Sequence, residues 1–259
     1  MDLSPQDQHK NNRRNFVKQS AAGLGALILP NLASASENPK PLKVVCVGGH
    51  PDDPESGCGG TLALLAKLGH AVTIIYLTTG EAGIEGKSHA ASASIRKQEA
   101  LNACKILNSK AVFAGQTDGQ TIVNNEWIEK LSQLIKSENP SIVFTHWPLD
   151  SHKDHQAASL LTIQAWFNSE RKFPIYFFEV LYGSQTVGFN PTDYIDISST
   201  QDQKRKALFC HTSQDPAGIY SAGHEEMEKF RGMAIGTKAA EAFIKVESST
   251  TSLNSFLIK

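Results

Sequence analysis

The 259-residue chain is short of cysteine, has almost no net charge and contains no long apolar run. Its four cysteines include no Cys-x-x-Cys pair, so a structural zinc site has no support. Cys46, Cys58, Cys104 and Cys210 could form two disulfides in three pairings, but Cys46 lies in strand-like sequence, and Cys104 and Cys210 in helix-like sequence, where buried free thiols are common. Free thiols are therefore the expectation. Lys and Arg total 25 against 26 Asp and Glu, which leaves no positive field to gather nucleic acid or an anionic membrane. No nucleic-acid partner is expected. The one apolar run that invites a membrane reading, residues 21–30, is roughly half a bilayer span, so a soluble mature chain without a transmembrane segment is expected. Both phosphate-cradling glycine signatures, GxGxxG and GxxxxGK[ST], are also missing, which argues against a dinucleotide-binding oxidoreductase. At 40% hydrophobic and 20% charged, what remains is a folding chain with one sizeable core.

The first 35 residues read as a targeting segment. A polar start leads into Arg13-Arg14-Asn15-Phe16-Val17-Lys18, then a weakly hydrophobic stretch, then Ala33-Ser34-Ala35, which has the small-x-small form of a cleavage site. A twin-arginine export signal over residues 1–35 and a periplasmic or extracellular domain over 36–259 are expected. Twin-arginine routes carry folded cargo.

Beyond it, short β-branched runs alternate with amphipathic ones. Strands are predicted over 42–47, 71–78, 111–114 and 142–146, with late strands over 174–182 and 194–197. Helices are predicted over 57–68, 92–107, 125–137, 152–167, 201–210 and 225–246. Near-continuous apolar strands separated by helices imply a single α/β domain, a mostly parallel Rossmann-like sheet covered on both faces. Such sheets bind ligands at the carboxyl ends of their strands.

Two clusters fall at such ends. His50-Pro51-Asp52-Asp53-Pro54-Glu55 follows the first strand, and His152-Lys153-Asp154-His155 opens the helix after the fourth. If the two strands are neighbours, imidazoles and a carboxylate converge, and two His with one carboxylate make the ligand set of a catalytic zinc. Two adjacent acids do not easily share one ion, so one of Asp52 and Asp53 is free to act as a general base. His146 and Trp147, at the end of the fourth strand, could form a stacking platform. His9, His70, His89 and His224 read most simply as surface residues.

These clusters, with Thr79-Gly80-Glu81-Ala82-Gly83, Arg96-Lys97-Gln98-Glu99-Ala100, Asp118-Gly119, Lys206-Ala207-Leu208 and His211-Thr212-Ser213-Gln214, resemble the PIG-L/LmbE de-N-acetylase family from Val44 to about Phe243. Pro54 stands where the commonest family form has Glu, which leaves the ligands intact. The resemblance implies a Rossmann-like fold and zinc-dependent removal of N-acetyl from N-acetylglucosamine-type molecules, with another divalent transition metal as the alternative ion. It implies His50, Asp53 and His155 as metal ligands and Asp52 as the base. It implies that His152, held protonated by Asp154, steadies the oxyanion or protonates the leaving amine. Glu81, Arg96 and Asp118 would line the sugar pocket, Arg96 and Glu99 having as their other reading a solvent-facing helical pair. His211 matches the family signature without an assigned role. The expected partner is a small amino-sugar substrate. Two alternatives stay open: a same-family amidase acting on a sugar-linked thiol conjugate, and a catalytically inactive sugar-binding protein.

Overall fold

A computed structural model of the chain describes residues 41–180 and 185–246; the expected signal segment lies outside them. Among these residues seven strands form one sheet in the order β3-β2-β1-β4-β5-β7-β6. The strands are β1 (Lys43–Gly48), β2 (Ala71–Tyr76), β3 (Lys110–Phe113), β4 (Ile142–His146), β5 (Ile175–Phe178), β6 (Asp193–Asp196) and β7 (Ala240–Val246). The first five run parallel, whereas β7 is antiparallel to both β5 and β6. The helices are α1 (Asp53–Lys67), α2 (His89–Leu107), α3 (Asn125–Glu138), α4 (Lys153–Asn168), α5 (Gln201–Leu208), α6 (Pro216–Ile219) and α7 (Glu225–Ile235).

Strand alternation sorts the core into two layers. Val44 and Cys46 of β1 join Ile74, Phe144 and Tyr176 under α1, α2 and α5, while Val45 and Val47 join Val143 and Ile175 under α3 and α4. Burial on both faces makes these strands read as unbroken apolar runs. After β1 the chain builds outward through β2 and β3, then returns to place β4 on the other flank of β1. That reversal opens a crevice at the carboxyl ends of β1 and β4, the usual ligand position in open parallel sheets.

One expectation is corrected here. The predicted helix 225–246 ends at Ile235, because Gly236 adopts φ 73° as a left-handed cap, and the following residues pair as β7. Helix α1 also departs from regularity: Cys58 has φ −144°, which breaks the ladder and leaves new amide donors one turn later. The Glu241 carboxylate of β7 accepts from Gly60 N at 2.9 Å and Thr61 N at 2.7 Å, so a side chain distant in sequence caps the second half of the helix. Glu241 is balanced by Lys204, fully buried, whose Nζ lies 2.8 Å from Glu241 and 2.9 Å from Glu228. Burial alone would lower the Lys204 pKa; the two carboxylates reverse that and raise it.

Candidate active site

Both predicted clusters reach the crevice. His50 and Asp53 lie on the β1–α1 turn, and His152 is the N-cap of α4, one turn before His155. Gly49 allows the close approach: a Cβ there would stand 2.9 Å from His155 Cδ2 and 3.2 Å from Asp53 Oδ2. Asp53 bridges the two clusters, its Oδ2 lying 3.1 Å from His50 Nδ1 and its Oδ1 3.1 Å from His155 Nε2. All three side chains are buried. Burial would raise the Asp53 pKa, but His155 and His50 hold it well below the carboxylate range. Conversely His155 resists the lowering effect of burial and rises to about 9 beside Asp53 and Asp150.

The donors converge in overlapping groups. His50, His152 and His155 offer nitrogens within 4.8 Å of one another, as do the ligand atoms of Asp53, His146 and His155, and those of His50, Asp118 and Asp154. His146 therefore belongs with the groups that could hold a metal ion rather than with a stacking platform. Its ring stacks on His155 at 4.0 Å, its Nε2 accepts from Gly49 N at 3.0 Å, and among the described residues its buried Nδ1 has no hydrogen-bond partner. Asp150 was not singled out in the sequence at all. It lies 3.0 Å from His155 Nδ1, which turns Nε2 toward Asp53, the carboxylate–imidazole support that metal-ligating histidines commonly have. A carboxylate five residues before His155 was the available signal. A buried carboxylate between two imidazoles, one of them backed by a further carboxylate, fits a catalytic divalent ion.

Asp52 differs from Asp53 in every local respect. It has φ 103°, rare and strained for a residue with a side chain, and sits partly buried on the cavity wall. Burial pushes its carboxyl up to about 6, against the Arg96 guanidinium, whose NH2 is 3.2 Å away. Arg96 is itself buried and donates to Pro51 O at 2.6 Å and Gly80 O at 3.2 Å. The solvent-facing reading of Arg96 and Glu99 is thus overturned. Glu99 is buried too and accepts from Thr212 and Ser213.

The expected partnership of Asp154 with His152 is corrected. The Asp154 carboxylate faces His50 Nε2 at 3.1 Å and accepts from Gly119 N and Thr121 Oγ1, and those bonds hold its pKa down despite burial. What reaches His152 is the Asp154 backbone amide, donated to Nδ1 at 3.2 Å. The exposed His152 ring thus carries its hydrogen on Nε2, and partial burial together with the like charges of His50 and His155 lowers its pKa. The expected support of His152 by the Asp154 carboxylate is replaced by the contact of that carboxylate with His50.

The cavity encloses about 470 Å³, within the range of small-molecule sites. Asp118 and Arg96 line it; Glu81 does not. The Glu81 carboxylate instead accepts from Asp118 N and from Thr79, tying the β2 and β3 loops together. Trp147 packs edge-on against Phe177 and Phe189, away from the cavity lining. His211 is fully buried on the cavity wall, its Nε2 3.4 Å from Glu55 Oε1. His224, expected at the surface, is buried and lines the cavity as well.

Comparison with known proteins agrees with this geometry. The family model for GlcNAc-PI de-N-acetylase, PIG-L, matches residues 45–166, which contain both clusters. A diacetylchitobiose deacetylase of Thermococcus kodakarensis is 30% identical over 193 residues, covering 69% of this chain and 72% of that protein. The chain belongs to the PIG-L/LmbE family. The Thermus thermophilus protein TT1542, another similar fold, superposes with a TM-score of 0.71 at 28% identity, over 82% of this chain and 97% of that one. A 4-oxalmesaconate hydratase of Pseudomonas putida is 24% identical, covering 65% of this chain and 72% of that protein. Family membership alone therefore does not set the reaction, and this PIG-L/LmbE member has to be read from its own site.

Proposed function

We propose that the protein is a zinc-dependent deacetylase that hydrolyses the N-acetyl amide of an N-acetylglucosamine-type sugar or glycoconjugate. The observation that carries the reading is Asp53 bridging His50 and His155 with a second, strained carboxylate, Asp52, beside it on the cavity wall. His50, Asp53 and His155 would hold the ion, which when bound supplies Lewis acidity and lowers the pKa of water toward about 7.

The chain's own groups account for the remaining steps. Asp52, with its carboxyl raised to about 6, is basic enough to take a proton from water near neutrality and acidic enough to return it to the leaving amine. Arg96 fixes that carboxylate and the turn that bears it. His152 donates from Nε2 as a neutral imidazole to the oxyanion of the tetrahedral adduct, and it does so because the Asp154 amide occupies Nδ1. Asp118 accepts sugar hydroxyls, while Asp154 orients His50.

Export is part of the same proposal. The arginine pair at 13 and 14 and the Ala33-Ser34-Ala35 end support secretion of a folded domain. Among the described residues no helix is long and apolar enough to cross a membrane.

The test is direct. Purified protein, stripped with a chelator and reloaded with zinc, is incubated with a panel of N-acetylated amino sugars while acetate and free amine are measured. Equimolar acetate and amine from the reloaded form, and none from the stripped form, are expected. Absence of both products from the loaded form across the panel contradicts the reading.

A further inference from the structure

We propose that Glu55 is a positioning residue for Asp52: braced by Tyr76 and His211, its carboxylate holds the Asp52 backbone in the strained turn that sets the Asp52 carboxyl on the cavity wall. The proposal rests on the reading above in which Asp52 moves protons.

Asp52 opens α1 at φ 103°, a costly region for a residue with a side chain and unlike the extended backbone that N-cap residues usually adopt. Such a conformation persists only where its surroundings over-determine it. Two buried side chains do so. Arg96 holds the Asp52 carboxyl with NH2 at 3.2 Å and donates to Pro51 O at 2.6 Å, while Glu55 holds the backbone, its Oε2 accepting from Asp52 N at 3.2 Å.

An acid at the third position of a helix often returns to the N-cap amide, and in an exposed helix that bond only closes the helix end. Glu55 differs in its burial and in what stands behind it. Its side chain is fully buried, and a buried carboxylate needs partners for both oxygens. Oε1 accepts from Tyr76 Oη at 2.5 Å and faces His211 Nε2 at 3.4 Å. Both groups are fully buried and come from elsewhere in the fold, Tyr76 from the end of β2 and His211 from beyond α5. Neither His211 nitrogen makes a hydrogen bond among the described residues, so the ring meets the site through its charge contact with Glu55.

The loop that bears His211 is itself fastened. Thr212 Oγ1, Ser213 N and Ser213 Oγ donate to Glu99 of α2 at 3.0, 2.8 and 2.7 Å, and Gln214 Nε2 donates to Gly83 O at 3.0 Å. In the His211-Thr212-Ser213-Gln214 run, three residues therefore anchor the loop and the first stands against Glu55. Tyr76 does not line the cavity, and its ring stacks on Phe113, so loss of its hydroxyl leaves the packing in place.

The zinc-loaded enzyme is compared with its Glu55→Leu, Glu55→Gln and Tyr76→Phe variants, each made also in an Asp52→Asn background. Acetate release from the amino sugar that the natural chain hydrolyses gives kcat and KM, elemental analysis gives zinc content, and NMR follows hydrogen exchange at the Asp52 amide. Misplacing a reacting group by about 1 Å can cost about 10²-fold, so Glu55→Leu is predicted to lose roughly that factor in kcat with KM and zinc unchanged. Glu55→Gln keeps an acceptor for Asp52 N and is predicted to restore most of the loss, and Tyr76→Phe to lose roughly tenfold. In the Asp52→Asn background neither Glu55→Leu nor Tyr76→Phe is predicted to lower kcat further, because residues that act as a unit are not additive. The Asp52 amide is predicted to exchange about tenfold faster in Glu55→Leu.

Undiminished kcat in Glu55→Leu, an equal fold loss in the Asp52→Asn background, or zinc lost from Tyr76→Phe overturns the positioning role and leaves the deacetylase reading standing. If Glu55→Leu does not fold, Tyr76→Phe decides by the same kcat criteria. If the natural chain hydrolyses no amino sugar, the deacetylase reading falls and the amide decides alone: unchanged exchange at Asp52 overturns the hold of Glu55 on that turn, and faster exchange upholds it.

Discussion

At the carboxyl end of β1 two identical side chains are put to different uses by the backbone that carries them. Asp53 lies inside α1 between two imidazoles, whereas Asp52 caps the helix at φ 103° and faces the cavity. Both clusters were legible in the sequence because a dense run of ligating residues after a predicted strand has few structural explanations. The orientation of each side chain was not. Nothing in the spacing of His152, Asp154 and His155 says that the Asp154 carboxylate turns to His50 rather than to its neighbour. Asp150 and His146 acquire their roles only when the β4 loop folds back over His155. Removing the charge behind a ligand typically costs 10–100-fold in metal affinity, so Asp150→Asn is predicted to weaken zinc binding by roughly that factor in a competition titration with a chelating dye. His155 also makes the metal-free protein pH-sensitive. Its folded pKa of about 9 exceeds the unfolded value of 6.5, so the stability it contributes is complete below pH 6.5 and is lost as pH rises toward 9. The loss is on the order of 3 kcal/mol. Thermal melts of the stripped protein are predicted to fall across that window, and less steeply in Asp150→Asn; a flat profile contradicts the assignment.

Elements were legible where period and length agreed. β1, β2, β4 and α2 to α4 lie within a few residues of their predicted positions, because buried parallel strands and helices with a clear apolar stripe leave distinct patterns. The C-terminal part was harder. Residues 225–246 carry a helical pattern that runs into a strand, and only Gly236, at φ 73°, marks the break. Nor could the kink at Cys58 be seen, since what makes it tolerable is Glu241, 180 residues from Thr61, capping the freed amides. That arrangement depends on Lys204. Lys204→Met would leave Glu228 and Glu241 buried without their shared counter-charge, and breaking a buried ion pair from one side typically costs about 3–5 kcal/mol. Denaturant melts of the folded variant are predicted to show a loss of that size, while Lys204→Arg loses less. If Lys204→Met is as stable as the natural chain, the cap is not maintained by this charge.

For the whole molecule, the alternation of apolar strands with helices was enough to specify an α/β sheet and to direct attention to its carboxyl edge. The antiparallel β7 was outside that reading, because a helical pattern masked it. Relatives named as a deacetylase and a hydratase are both similar to this chain, so the reaction is argued from the side chains around the crevice rather than from the fold. The proposed signal segment makes a separate prediction. Changing Arg13 and Arg14 to Lys is expected to leave uncleaved precursor in the cytoplasm, and mature protein found outside the cell regardless counts against a twin-arginine route. The central claim is that Asp53 holds a metal while its neighbour Asp52 moves protons, and the pair of amide variants separates these roles. Zinc content by elemental analysis is measured alongside acetate release. Asp52→Asn is predicted to keep its zinc and lose roughly 10²–10⁴-fold in kcat, and Asp53→Asn to lose its zinc. Zinc lost from Asp52→Asn and retained by Asp53→Asn would contradict the account.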